Sequence, residues 1–135
     1  MAVRTLIVED EPVTQRLLAL RLEHIGCAVV GAADNPRDGL SRFRELHPDL
    51  VTLDIQMPEF DGLDAAGLFD AIRSEDPRCE IAVITASAFP AHRERFLKAG
   101  AIVYERKPVD FRRLADQLRK YFPDLQRSTL SPPRK

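Results

Sequence analysis

The residues of this chain best equipped for chemistry are acids, and they stand directly after short apolar runs. Glu9, Asp10 and Glu11 follow RTLIV, and Asp54 follows LVTL. Thr85 lies in IAVITA with Ser87 two residues on, and Lys107-Pro108 come just after AIVY. If those runs are parallel strands of one sheet, these residues gather on the rim beyond the strands' carboxyl ends, where open α/β sheets hold their ligands. Two carboxylates about 5 Å apart repel by roughly 3 kcal/mol at an effective dielectric of about 20. Glu9, Asp10 and Asp54 together would therefore raise one another's pKa values. A hard divalent cation relieves the strain, and an oxygen-only ligand set without Cys or His suits Mg²⁺. The cation and Lys107 then balance the three carboxylates, leaving a neutral site able to accept a phosphoryl group. Asp54, on a different strand from the acidic pair, is the candidate nucleophile. Metal and lysine would neutralise charge on the transferring oxygens.

Such a rim needs elements that position it. Five β-branched runs, apolar on both faces, read as buried parallel strands: Arg4–Val8, Cys27–Ala33, Leu50–Leu53, Ile81–Ala86 and Ala101–Tyr104. Between them lie amphipathic stretches. Pro12 opens the first, which carries two apolar spacings, Val13, Leu17, Leu20 and Leu18, Leu22, Ile25, and stops at Gly26. Asp34 or Asn35 caps the second, which begins at Pro36, lines Leu40, Phe43 and Leu46 on one face, and ends at His47-Pro48. A third spans about Gly62–Ser74, and a fourth Pro90–Ala99. The fifth shows Phe111, Leu114, Ala115, Leu118 and Phe122 on one face. Alternating strands and helices give right-handed βαβ units in a doubly wound α/β domain over residues 1–122. Residues 123–135, with Ser128, Ser131, Pro132 and Pro133 and no apolar period, read as a flexible tail or the start of a linker.

Composition narrows the function. Of 135 residues 30% are charged, with 20 Lys and Arg against 21 Asp and Glu; the net charge of −1 argues against direct nucleic-acid binding. No run approaches the roughly 18 apolar residues of a membrane span. The opening MAVRTLIVED meets an acid before a secretory apolar region can form. Two cysteines, Cys27 and Cys79, without a CxxC pair suggest reduced thiols in a cytoplasmic protein.

Taken in order, LIVEDE, PDLVTLDIQMPEFDGL, VITASA and YERKP resemble the receiver domain of two-component response regulators, with the chemotaxis-regulator-like fold, over roughly residues 4–121. The resemblance implies a flavodoxin-like (βα)5 sheet of strand order 2-1-3-4-5. It implies a module that is no enzyme beyond its own phosphorylation and dephosphorylation. Asp54 would take a phosphoryl group from a phosphohistidine on a sensor histidine kinase or histidine phosphotransfer protein. Glu9, Asp10, Asp54 and the backbone carbonyl of Gln56 would hold Mg²⁺. Lys107, joined to Pro108 by a cis bond, would pair with the phosphoryl group. The Thr85 hydroxyl would swing onto the phosphate and Tyr104 would turn inward, switching a surface around the fourth helix, fifth strand and fifth helix. The side chains of Gln56 and Ser87 would tune dephosphorylation. The output partner or domain is unspecified, and a homodimer is one form it could take. Val109 stands where DNA-binding relatives commonly carry Phe.

Three other readings compete. A haloacid-dehalogenase-type phosphatase also uses a strand-end Asp and Mg²⁺, but it needs a second Asp where this chain has Gln56. A flavin or nucleotide binder needs a Gly- or Ser/Thr-rich loop where this chain has Glu-Asp-Glu-Pro. A binding module that works without phosphorylation has no need of so complete a set of acids, hydroxyl and lysine. Outside the rim, Phe89, Phe96 and Phe111 read as core in preference to a partner surface around the fourth and fifth helices, His24, His47 and His92 as surface residues, and the cysteines as small apolar filler.

Overall fold

The structure, a computed structural model, describes residues 2–126. Strands and helices alternate without exception: β1 (Val3–Val8), α1 (Pro12–His24), β2 (Cys27–Ala33), α2 (Pro36–Leu46), β3 (Leu50–Leu53), α3 (Ala65–Glu75), β4 (Glu80–Thr85), α4 (Pro90–Lys98), β5 (Val103–Arg106) and α5 (Phe111–Arg119). The sheet order is β2-β1-β3-β4-β5 and every neighbouring pair is parallel, the doubly wound order expected. Between β1 and β2 the register slips after Thr5, which pairs with Val29, because Leu6 pairs with Gly31 and Val30 is passed over.

Each face of the sheet has its own core. Leu40 and Phe43 of α2, Leu68, Phe69 and Ile72 of α3 and Phe96 of α4 pack on one side against Leu6, Val8, Leu53 and Val83. Leu18 and Leu22 of α1 and Leu114 and Leu118 of α5 cover the other, against Ile7, Leu50 and Ile84. Local signals set the helix starts. Pro12 and Pro36 occupy first-turn positions, and the caps of α1, α2, α3 and α5 are Glu11, Asn35, Asp64 and Asp110. Each cap's side chain accepts a backbone N–H from the first turn.

The structure departs from the sequence reading at several points. Helix α3 begins at Ala65 rather than Gly62, because Asp61 and Gly62 both take positive φ and Phe60 pairs with Leu63 in a tight turn before the Asp64 cap. Strand β5 lies two residues later than its apolar run, since the edge of the sheet accepts Glu105 and Arg106. Of the two apolar spacings on α1, only Leu18, Leu22 and Ile25 are buried; Val13, Leu17 and Leu20 face solvent. The packed body also passes residue 122. Pro123 breaks the helical period, yet Leu125 returns to the α1–α5 core and the Gln126 N–H donates to Ile25 O at 2.8 Å. Residues 127–135 of the expected tail lie outside the described residues. Phe96 is core, as read from sequence, but Phe89 is 65% exposed, because it stands at the residue before α4 instead of facing the sheet.

One contact brings α2 close to the rim. A Cβ at Gly39 would sit 2.9 Å from Leu68 Cδ2 and 3.2–3.3 Å from both methyls of the β-branched Val8. Leu68 can swing aside, but Val8, two residues before Asp10, is stiff. Gly39→Val is expected to cost about 1–3 kcal/mol by overpacking, read as a lower urea midpoint at unchanged slope. A variant as stable as the parent would show that α2 moves outward freely.

Candidate functional site

The strand ends place the predicted residues on one rim. Backbone bonds extend the sheet by one residue beyond β1, β3 and β5: Asp54 N–H donates to Val8 O (3.1 Å), Glu9 N–H to Ala33 O (2.9 Å) and Lys107 N–H to Thr85 O (2.8 Å). Glu9, Asp54 and Thr85 are buried at 1%, 6% and 0% exposure, while Asp10 lies at the surface.

Lys107 joins the two buried acids. Its Nζ donates to Glu9 Oε1 at 2.8 Å and to Asp54 Oδ2 at 2.9 Å. Asp54 Oδ1 accepts from the Gln56 N–H (2.8 Å) and the Thr85 hydroxyl (3.1 Å). Glu9 Oε2 accepts from the Glu11 N–H at 3.1 Å, and the Gln15 amide donates to Glu9 O at 2.9 Å. The Lys107–Pro108 peptide is cis. One carboxylate oxygen each from Glu9, Asp10 and Asp54 lie within 4.8 Å of one another, an all-oxygen set whose chemistry fits a hard divalent cation. Thus Glu9, Asp10, Asp54, Thr85 and Lys107 come together, with the Gln56 backbone beside them.

Tyr104 is set apart, two residues before the end of β5. Its ring is half-buried, and its hydroxyl is buried without a hydrogen-bond partner among the described residues. With Phe89, Pro90, Arg106, Arg113 and Gln117 it lines a cleft of about 450 Å³ between α4, β5 and α5. At the cleft's wall Glu105, 3% exposed, is gripped by Arg113 at 2.8–3.2 Å.

The charges are tuned by their surroundings. Burial pushes the Glu9 carboxyl above its ordinary 4.5, with the hydrogen bond from Lys107 pulling the other way. Burial also opposes the charge on Lys107, but its hydrogen bonds to Glu9 and Asp54 prevail and raise its pKa. Elsewhere burial, with Asp76 and Glu80 nearby, drives the Cys79 thiol up to about 12, so it stays protonated and inert.

A carboxyl whose pKa is raised on folding lends stability below its unfolded value and loses it as pH climbs through the folded one. Metal-free protein should therefore lose part of its stability as pH rises above about 4.5. Cation binding selects the ionised carboxylates and should flatten that slope. Thermal unfolding in chelator and in Mg²⁺ checks this, and Glu9→Gln should remove most of the slope. Equal slopes in all three would show that Glu9 does not carry it.

The sequence missed two contacts here. His92, read as a surface residue, has its ring at hydrogen-bond distance from the buried Ser87. Gln15 supports the Glu9 backbone. Neither pairing follows from spacing, since loop closure alone brings Ser87 and His92 together.

A parallel sheet in this order, with its acids and lysine meeting at the carboxyl rim, defines a signalling fold of the two-component systems. The chain belongs to the response regulator receiver domains, whose family model matches residues 5–119. Chemotaxis protein CheY of Thermotoga maritima is 36% identical over 120 residues, covering 89% of this chain and 98% of that protein. The probable C4-dicarboxylate response regulator DctR of Halalkalibacterium halodurans is 33% identical over 88% of this chain, which spans about half (51%) of that longer protein. Among solved structures, the CheX-CheY-BeF3-Mg+2 complex from Borrelia burgdorferi has the same fold, with a TM-score of 0.80 at 23% identity over 88% of each chain. No helix among the described residues is long and apolar enough to cross a membrane.

Proposed function

We propose that this receiver domain is a phosphorylation switch whose acceptor is Asp54. The observation that carries the reading is one ammonium bridging two buried carboxylates of different strands, with a third carboxylate beside them. The donor is a phosphohistidine on a sensor histidine kinase or histidine phosphotransfer protein. Its P–N bond breaks as an Asp54 carboxylate oxygen bonds to phosphorus, and the departing imidazole takes up a proton. Asp54 supplies the nucleophilic oxygen, and Lys107 meets the charge on the transferring phosphoryl oxygens. Glu9, Asp10, Asp54 and the Gln56 carbonyl would hold Mg²⁺, which would supply charge neutralisation at the phosphoryl group.

Thr85 already aims its hydroxyl at Asp54, where a phosphoryl oxygen would draw it. A charge-assisted hydrogen bond of about 1.5–3 kcal/mol shifts a two-state equilibrium roughly ten- to 150-fold. Tyr104 would follow inward, changing the face built by α4, β5 and α5, where an output partner, an output domain or a second copy would read it. The domain of residues 1–122 is the switch, with Leu125 and Gln126 packed against it. The chain turns over no outside substrate and works in the cytoplasm.

The test is incubation with acetyl phosphate and Mg²⁺, followed by mass spectrometry of the intact chain and its fragments. The expected result is one phosphate, on the fragment holding Asp54, and none once the Mg²⁺ is chelated. A protein that takes up no phosphate, or takes it elsewhere, sinks the reading. Steady hydrolysis of phosphomonoesters would point to the phosphatase chemistry that Gln56 argues against.

A further inference from the structure

We propose that His92 is a positioning residue for the phosphoacceptor site, holding the β4–α4 loop through Ser87 in the shape that aims Thr85 at Asp54. The inference rests on the function proposed above and names a control of the same site.

Hydrogen bonds run from the rim to the first turn of α4 without a break. The Thr85 hydroxyl donates to Asp54 Oδ1 at 3.1 Å and accepts the Ser87 N–H at 3.3 Å. Ser87 is 2% exposed, and its Oγ lies 2.6 Å from His92 Nδ1 while accepting the Phe89 N–H at 3.4 Å. When the neutral ring carries its proton on Nε2, the Ser87 hydroxyl donates to Nδ1 and keeps its lone pairs for Phe89. Ring and backbone of His92 are each held once more. The ring meets Phe89 edge-to-face with centroids 5.4 Å apart, and the His92 backbone N–H donates to Phe89 O at 3.0 Å.

This link does what a cap does elsewhere in the chain. Helices α1, α2, α3 and α5 each begin with a side-chain cap, whereas Phe89 gives α4 none. The side chain tying the first turn of α4 to its own loop is His92. Because coupling between two sites is reciprocal, an anion that recruits Thr85 acts on α4, and a partner that moves α4 acts on Thr85.

The experiment measures affinity for beryllofluoride, a phosphoryl mimic, with Mg²⁺ by fluorine NMR titration. Ser87→Ala and His92→Ala should each weaken binding roughly three- to tenfold, the worth of one neutral hydrogen bond. The double variant should bind no more weakly than Ser87→Ala alone, since the Ser87–His92 bond is already gone in that variant. His92→Asn, whose amide reaches near the Nδ1 position, should recover affinity to within about twofold of the parent. Rescue by Asn, with a double variant no weaker than Ser87→Ala, is a pattern that general loss of stability does not give. Multiplying effects in the double variant, or a His92→Ala protein within about twofold of the parent, would overturn the positioning role. Failure of the folded parent to bind beryllofluoride would sink the phosphoacceptor reading, and the role with it.

Discussion

An Asp54→Asn variant treated with acetyl phosphate and Mg²⁺ is expected to carry no phosphate at all. Neither neighbouring acid can substitute. Glu9 is buried, with one oxygen on Lys107 and the other on the Glu11 N–H, and burial favours its protonated form. Asp10 is exposed, and the Thr85 hydroxyl and Gln56 N–H donate to Asp54. An Asn amide nitrogen has no lone pair to offer phosphorus, and its oxygen is a far weaker nucleophile than a carboxylate. The amide also brings a donor toward Lys107 where Asp54 Oδ2 now accepts at 2.9 Å, so the lysine shifts toward Glu9. Intact-mass measurement across a donor titration decides the matter. Labelling equal to the parent would move the acceptor to another residue.

Lys107→Ala should give the second large effect, on rate and on stability together. Removing one preorganised group that meets developing charge lowers the chemical step by on the order of 10²–10³-fold. Phosphoryl uptake should slow by that order at saturating Mg²⁺, with the acceptor unchanged. The same substitution strips the shared counter-ion from two carboxylates that are 1% and 6% exposed. Leaving a buried charge unpartnered commonly costs about 3–5 kcal/mol. Here Glu9 can take up a proton instead, so the loss should grow as pH rises above Glu9's already raised pKa. Mg²⁺ should restore much of the stability, by mass action on the folded state, and little of the rate. Unfolding midpoints with and without Mg²⁺, set beside uptake rates, separate the two roles. A variant unchanged in both would show that Lys107 only fills space.

The rim was legible in the sequence because its chemistry is punctuated. Acids, a hydroxyl and a lysine interrupt runs such as LVTL and IAVITA, and the parallel topology does the rest of the placing. Helix starts were legible wherever proline and a cap stood together, as at Asn35-Pro36. Features decided by tertiary packing were not. Nothing in the spacing of α1 tells Leu18 and Leu22 from Leu17 and Leu20, since both sets recur at helical intervals and only the sheet chooses between them. The position of β5 was obscured because Glu105 is polar yet buried, a state made possible by Arg113 eight residues on. The Ser87–His92 contact was hidden for the same reason, being made by a loop whose path no periodicity describes.

The skipped residue on β2 has a consequence away from signalling. An open sheet exposes two edges, and a long, uncharged edge strand is a template for pairing with another molecule. Strand β5 meets this hazard by being short and carrying Glu105 and Arg106. Strand β2, CAVVGAA, has seven residues and no charge, the composition that seeds cross-β stacking. The slip at Val30 interrupts its register with β1, and Gly31 follows directly, so the strand's ladder is broken midway, a feature expected to make it a poorer template for stacking.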